Sequence, residues 1–349
     1  MKINNTIKII FLGIIHLSID VVPSFLIYKS FSSGLINTQE AVFLISIYIF
    51  LAFGAQFFFG YLADIVNNPK RVIQLGLTAA IFSLLIGYYS LIIAVILIGI
   101  ANSLIHVGGG IVALRTYPGK ATYPGLFVSF GALGLYVGLL LGKTNINAFW
   151  YILSLIIILF CFLWFIEMPK PSSRVIKTNI SYILPLILIL AVIFLRSYLG
   201  SFLTFSSINI MNFALLLTLS VFLGKFLGGF IADKFGWLKT VILSLILASI
   251  LLFFTSSYVI FGLGVLFLFQ ISMPITLTIL GDIFPKNPGF AFGLSCLSIY
   301  FGYYFAQISF GFNVGKYFLA TGFLLSLIII FIGINIIFEL KYTHEYIPK

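Results

Sequence analysis

The 349-residue chain holds three histidines, and two of them sit inside long apolar runs with the few other ionisable groups found there. His16 and Asp20 are four residues apart in the first run, a spacing that puts both side chains on one helix face. Imidazole titrates near neutrality, and a carboxyl group out of water can also take up a proton, so either could carry one. A hydrogen-bonded pair that only fixes helix packing would use the same two residues. Asn102 and His106 repeat the four-residue spacing further on, followed by Gly108-Gly109-Gly110. Such a glycine run permits close helix approach or local unwinding beside a cavity. Arg196, Lys225 and Gln270 are further polar groups within apolar runs, the last just before Met273-Pro274. Ionisable groups placed in hydrocarbon are costly and face a cavity or a partner. All seven are therefore candidates for proton coupling or for contact with a solute, with packing or snorkelling to the surface as the plainer alternative.

What must position them is a set of membrane helices. The chain is 62% hydrophobic and 8% charged, against about 25% charged in ordinary soluble domains. Mean hydropathy is +1.22. Runs of about 20 apolar residues recur throughout, and the short alternating segments of a closed barrel do not. The formal charge of +11 is spread over short loops rather than gathered on a polar face, which sets topology and excludes nucleic acid as the partner. Cys161 and Cys296 each lie in an apolar run and support neither a disulfide framework nor a metal site. The first run is too long for a signal peptide and lacks a small-residue cleavage site, so it reads as a retained helix.

Twelve spans are expected, near 5–29, 40–64, 71–89, 91–114, 123–143, 146–167, 180–204, 211–233, 239–256, 258–281, 289–311 and 317–339. With the N-terminus in the cytoplasm, fourteen of the 19 basic residues fall on the cytoplasmic side and only Lys29, Lys143 and Lys316 outside. Arg196 and Lys225 remain within spans. An even number of spans then leaves both termini inside. The most polar stretch, around residues 168–179, separates an N-terminal six-helix bundle (1–167) from a C-terminal one (180–349).

The two halves echo each other. Gly60-Tyr-Leu-Ala-Asp64, followed by Lys70 and Arg71, returns 169 positions later as Gly229-Phe-Ile-Ala-Asp233, followed by Lys234 and Lys239. Pro124-Gly125 before Tyr136-x-Gly138 returns as Pro288-Gly289 before Tyr300-x-Gly302. Six spans per half gives a parallel repeat about an axis along the membrane normal. Gly131, Gly134, Gly138 and Gly142 fall at spacings of three and four, suited to tight helix packing. Gly142-Lys-Thr144 mimics the end of a phosphate loop, but Val137 stands where its first glycine is required.

Twelve helices as six plus six, with Gly-x-Leu-Ala-Asp after the second and its counterpart after the eighth, resemble the major facilitator superfamily. The second copy, continuing Lys234-Phe-Gly236, follows the pattern more closely; in the first, Asn67-Asn68-Pro69 replaces the usual glycine and first basic residue. His16-Leu-Ser-Ile-Asp20-Val-Val-Pro23 and Gly99-Ile-Ala-Asn102-Ser-Leu-Ile-His106 resemble the branch of fosmidomycin-resistance exporters.

The resemblance implies an all-α membrane protein of two six-helix bundles working by alternating access, and not an enzyme. The expected activity is proton-coupled export of a small organic solute, an anionic one among the candidates. An ion-independent facilitator or importer is the alternative, and a membrane-embedded sensor or enzyme is a more distant one. It further implies that Asp20 and Arg196 pair across the central cavity or share an anionic group. Asp64 and Asp233, with their glycines and the basic residues after them, would form a conformational latch against the helices beginning near Pro288 and Pro124. A monomer in the inner or plasma membrane is expected, surrounded by lipid, with a proton as coupling ion and no cofactor.

Overall fold

Backbone groups in hydrocarbon have no partner but one another, so long apolar runs close their hydrogen bonds as helices. A computed structural model of the protein describes residues 4–144, 147–168, 182–203, 210–255, 258–309 and 314–345. The linker expected at 168–179 lies, apart from Met168, outside the described residues. In chain order the first helices are α1 Asn5–Ser32, α2 Thr38–Ile49, a π turn Phe50–Gly54, α3 Gln56–Val66, α4 Pro69–Ile86, α5 Leu91–Thr116, α6 Thr122–Lys143 and α7 Phe149–Phe165. They are followed by α8 Ile183–Ser201, α9 Ile210–Phe235, α10 Trp237–Leu252, α11 Val259–Gln270, α12 Ser272–Ile283, α13 Pro288–Ile308 and α14 Lys316–Glu345. Among the described residues nine helices are long and apolar enough to cross a membrane, or ten with α2 and α3 taken as one span bent by 40°. α7 and α10 are apolar but shorter and lie where the sixth and ninth spans were expected.

Two expected spans are broken, for different reasons. Between α11 and α12, Pro274 has no N–H to give the carbonyl of Gln270, and its ring crowds that turn. The helix restarts at Ser272. Between α2 and α3 there is no proline; the π turn lies against α5 instead. A Cβ on Gly99 would sit 2.7 Å from that of Leu51, and the Ser103 hydroxyl donates to the Leu51 carbonyl. The extra residue of a π turn redirects the side chains before it, and Tyr48, one turn earlier, packs inward against α5.

The chain divides into two compact units: Met1–Pro118, Leu126–Ser173 and Asn287–Leu297 in the first, Gly119–Gly125, Arg174–Lys286 and Ser298–Lys349 in the second. In the first, α5 is central and packs on α1, α2, α3 and α4. The three glycines of α5 keep the helix continuous rather than unwinding it, and each admits a different neighbour: Ile73 at Gly108, Phe127 at Gly109 and Phe292 at Gly110. The glycine row of α6 lies along α1, where a Cβ on Gly134 would be 2.3 Å from the Leu17 carbonyl and one on Gly138 2.3 Å from that of Val21. In the second unit α9 packs on α10, α11 and α12, and α8 on α12 and α14.

The turn after α3 shows how Asn67-Asn68-Pro69 works without a glycine. Asn67 adopts the left-handed conformation at φ 48°, which asparagine tolerates better than other side chains. Asn68 then caps α4 by accepting from the Arg71 N–H at 3.1 Å, with Pro69 as the first helical residue. In the second copy Gly236, at φ 93°, makes the equivalent turn.

Candidate functional site

In the first unit α1, α2, α5 and α6 bring His16, Asp20, Tyr48, Asn102 and His106 together. His16, Asp20, Asn102 and His106 are each at most 5% exposed. The ring nitrogen His16 Nδ1 lies 3.0 Å from the Phe127 carbonyl, and His106 Nδ1 lies 2.9 Å from the carbonyl of Asn102. A carbonyl only accepts, so both Nδ1 atoms carry hydrogen and donate. On a neutral imidazole that leaves Nε2 as an acceptor. His16 Nε2 nonetheless sits 3.2 Å from Asp20 Oδ2, and an ionised carboxylate also only accepts. Two lone pairs at that distance repel unless one proton lies between them, making the pair imidazolium–carboxylate or imidazole–carboxylic acid.

The rest of the cluster fixes this geometry. Asn102 Nδ2 donates to Asp20 Oδ1 at 2.5 Å and to the Tyr48 hydroxyl at 3.0 Å, so the other carboxylate oxygen is held away from His16. Gly131 leaves the room: a Cβ there would lie 2.4 Å from His16 Nε2 and 2.5 Å from Asp20 Oδ2. His106 stands edge-on to His16 with ring centroids 4.0 Å apart. One donor atom from each of His16, Asp20 and His106 lies within 4.8 Å of the others. That trio is also the group of three such ligands found among the described residues. The direct 3.2 Å contact, however, is a hydrogen-bond distance that one proton satisfies. Phe127 and Phe292, with ring centroids 6.4 Å from that of His106, and Phe53 at 6.2 Å, surround the cluster with apolar surface.

The second unit holds the other candidates. Arg196 is 7% exposed, buried in protein rather than extended to the surface, and donates to Thr276 Oγ1 at 3.2 Å. It lines a cavity of about 310 Å³ together with Ser197, Ser201, Lys225 and Gln270. Next to Lys225, a Cβ on Gly224 would be 2.4 Å from the Phe267 carbonyl and 2.8 Å from Gln270 Cβ, so α9 and α11 touch there. Asp20 and Arg196 each find these partners within their own unit.

The repeated turn has one geometry in both copies. Asp64 accepts from the Gly289 and Phe290 N–H groups at 3.0 and 2.8 Å, the first turn of α13. Asp233 accepts from the Ala121 and Thr122 N–H groups at 3.0 and 2.9 Å and from the Thr122 hydroxyl at 2.7 Å, the start of α6. In each case the glycine four residues earlier admits the incoming turn. A Cβ on Gly60 would be 2.1 Å from the Gly289 carbonyl, and one on Gly229 2.3 Å from that of Ala121. The basic residues behave differently. Lys70 donates to the Trp164 and Ile166 carbonyls at 2.8 and 3.0 Å, closing the end of α7, while Lys234 lies over the Phe235 ring. The backbone of Arg71 takes the Asn68 cap; Lys239 lies in the first turn of α10. The cation beside Asp64 is Arg115, 3.9 Å away and also donating to Asn67 at 2.9 Å. Sequence reasoning counted Arg115 only among the basic residues of the cytoplasmic side. It also overlooked Tyr48 and Thr276, for which no spacing rule gave a signal.

No protein-family profile matches this sequence, and no curated protein matches it. Solved structures do. The fucose:proton symporter FucP of E. coli superposes with a TM-score of 0.70 at 12% identity over 95% of this chain and 98% of that one. A second structure of FucP, a major facilitator superfamily transporter in the outward conformation, gives 0.67 at 12% over 95% and 98%. The human organic anion transporter MFSD10 (TETRAN) gives 0.67 at 17% over 93% and 99%. The chain shares the fold of these structures, an all-helical multi-pass membrane architecture.

The geometry around Gly131 predicts a non-additive pair of substitutions. Gly131→Ala is expected to lower stability by about 1–3 kcal/mol through overpacking, and to cost distinctly less in a His16→Ala background, where the struck ring is gone. Thermal unfolding of the four purified proteins measures both; equal costs in the two backgrounds would contradict the contact.

Proposed function

We propose that the protein is a secondary active transporter that exports a small organic solute in exchange for protons, by alternating access of two six-helix bundles (1–167 and 180–349, joined by 168–179). The observation that carries this reading is the buried His16–Asp20 contact, which is stable only with one proton in it. A site of that kind, inside a membrane helix and ringed by aromatic side chains, is costly to keep unless the proton is used. His106 offers a second station beside the pair, and Asn102 and Tyr48 orient the carboxylate. The same fold carries a proton symporter and an organic anion transporter, which is compatible with such coupling. Export, rather than import, rests on the resemblance of residues 16–23 and 99–106 to fosmidomycin-resistance exporters. Placement in the inner or plasma membrane with both termini cytoplasmic rests on the distribution of lysine and arginine.

Asp64 and Asp233 serve this cycle as the conformational latch, with Gly60 and Gly229 as the seats that let the latch close. Each carboxylate holds the first turn of a helix that the sequence assigns to the other half, where backbone N–H groups and the helix dipole favour a negative charge. Release of these contacts accompanies the change of access. Arg115 restrains Asp64 from within its own half; Lys70 stabilises α7 and lies outside the latch.

In proteoliposomes, an imposed proton gradient is expected to accelerate solute flux by the wild-type protein. His16→Ala and Asp20→Asn should abolish that acceleration while leaving exchange down the solute's own gradient; equal acceleration in all three would sink the coupling. Asp64→Asn and Asp233→Asn are expected to shift the conformational equilibrium on the order of twofold to thirtyfold, the worth of a charge at a helix N-terminus. Labelling of single cysteines placed on either side, in a background lacking Cys161 and Cys296, reads the shift. An unchanged labelling ratio would remove the latch role.

A further inference from the structure

Arg196 is a buried cation with no anion beside it among the described residues. It is 93% buried by the exposure given above, and its described hydrogen bond goes to a neutral hydroxyl, Thr276 Oγ1. Neither the His16–Asp20 nor the Arg115–Asp64 ion pair involves Arg196. A guanidinium removed from water without a counter-charge is strongly destabilising, and it presents a planar fork of donors of which Thr276 takes one. The cavity it lines adds a second cation, Lys225, and the uncharged donors Ser197, Ser201 and Gln270, with no aspartate or glutamate among the described lining residues. Val221, Leu266, Phe269 and Met273 supply the apolar side of the same wall. Pro274 leaves the Gln270 backbone carbonyl without its helical donor, so the α11–α12 break falls at this cavity. At about 310 Å³ the volume lies at the small end of ligand sites.

From these observations we infer that this cavity is the solute site and that it takes a small organic anion. The ligand's carboxylate or phosphonate group is bound by Arg196 and Lys225, and its apolar body lies against Phe269 and Met273. The inference rests on the transporter reading and names its substrate class. Arg196 is matched to planar carboxylate or tetrahedral phosphonate oxygens through paired N–H donors, whereas Lys225 adds charge without fixed geometry. A neutral or cationic solute of the same shape would leave the Arg196 guanidinium uncompensated, so discrimination comes from repulsion and lost pairing as much as from attraction.

The test uses the purified full-length protein in detergent, without any gradient, and a set of near-isosteric probes: benzoate, phenylphosphonate, benzamide and benzylamine. Binding is read by thermal stabilisation and by calorimetry. Benzoate or phenylphosphonate should bind and stabilise, and benzamide and benzylamine should not. Arg196→Gln and Lys225→Gln should each weaken anion binding by about tenfold or more, the loss of a charge-assisted hydrogen bond. Arg196→Lys, which keeps the charge and so guards against misfolding of the glutamine variant, should recover part of it. Benzamide binding as well as benzoate, or anion binding unchanged in a folded Arg196→Gln or Lys225→Gln protein, would overturn the inference. So would failure of both anions to bind. Because no proton gradient enters, loss of proton coupling in the flux experiment would leave this result standing. Conversely, gradient-driven flux of a neutral solute with no anion binding would remove the substrate class alone.

Discussion

One proton between His16 Nε2 and Asp20 Oδ2 is the interaction on which the first unit is built. The two atoms lie 3.2 Å apart on buried side chains, and both would be acceptors without it. Neighbouring groups hold that condition in place. The Phe127 carbonyl commits His16 to one tautomer, and Asn102 occupies the second carboxylate oxygen. Gly131 supplies the space in which the pair meets. Removing the proton leaves a buried repulsion; removing a partner leaves a buried unpaired group. In either case the cost falls on the packing of α1 against α5 and α6, which is how a protonation event at one point can bias the arrangement of whole helices.

The same economy of backbone contact runs through the rest of the molecule. Glycine stands wherever two helices must approach to carbonyl distance: Gly134 and Gly138 along α1, Gly224 and Gly228 along α11, Gly60 and Gly229 under the incoming helix starts. Apolar side chains in lipid gain little from meeting one another, so close van der Waals packing through small residues does much of the holding. At the repeated turns this packing is combined with charge. The carboxylate that caps the helix start lies one turn beyond the glycine that admits it, which explains why Gly and Asp recur together at a spacing of four.

Much of the fold could be read directly. Runs of about 20 apolar residues and the partition of lysine and arginine locate the helices, and the structure has an apolar helix at the positions expected, including the two short ones. The breaks were only half visible. Pro274 announces one, but the π turn at Phe50–Gly54 depends on Gly99 and Ser103, some fifty residues on, which no local pattern reveals. In the site, the four-residue spacing is enough to place His16 with Asp20 and Asn102 with His106. That the two pairs meet is a matter of helix packing, as is the arrival of Tyr48. Arg115 looked like one more positive charge at a helix end, because its partners Asp64 and Asn67 lie far back in sequence. Arg196, Lys225 and Gln270 were each visible as polar groups in apolar runs; their sharing of one cavity was not.

The shared proton can be observed directly, because the chain has only three histidines and nitrogen NMR of histidine-labelled protein distinguishes protonated from bare ring nitrogens. The spectrum of His16 should show Nδ1 protonated. Its Nε2 should carry the signature of a shared proton, and Asp20→Asn should remove that signature. A His16 ring that keeps a bare Nδ1, or whose Nε2 signal ignores the Asp20→Asn substitution, would contradict the account.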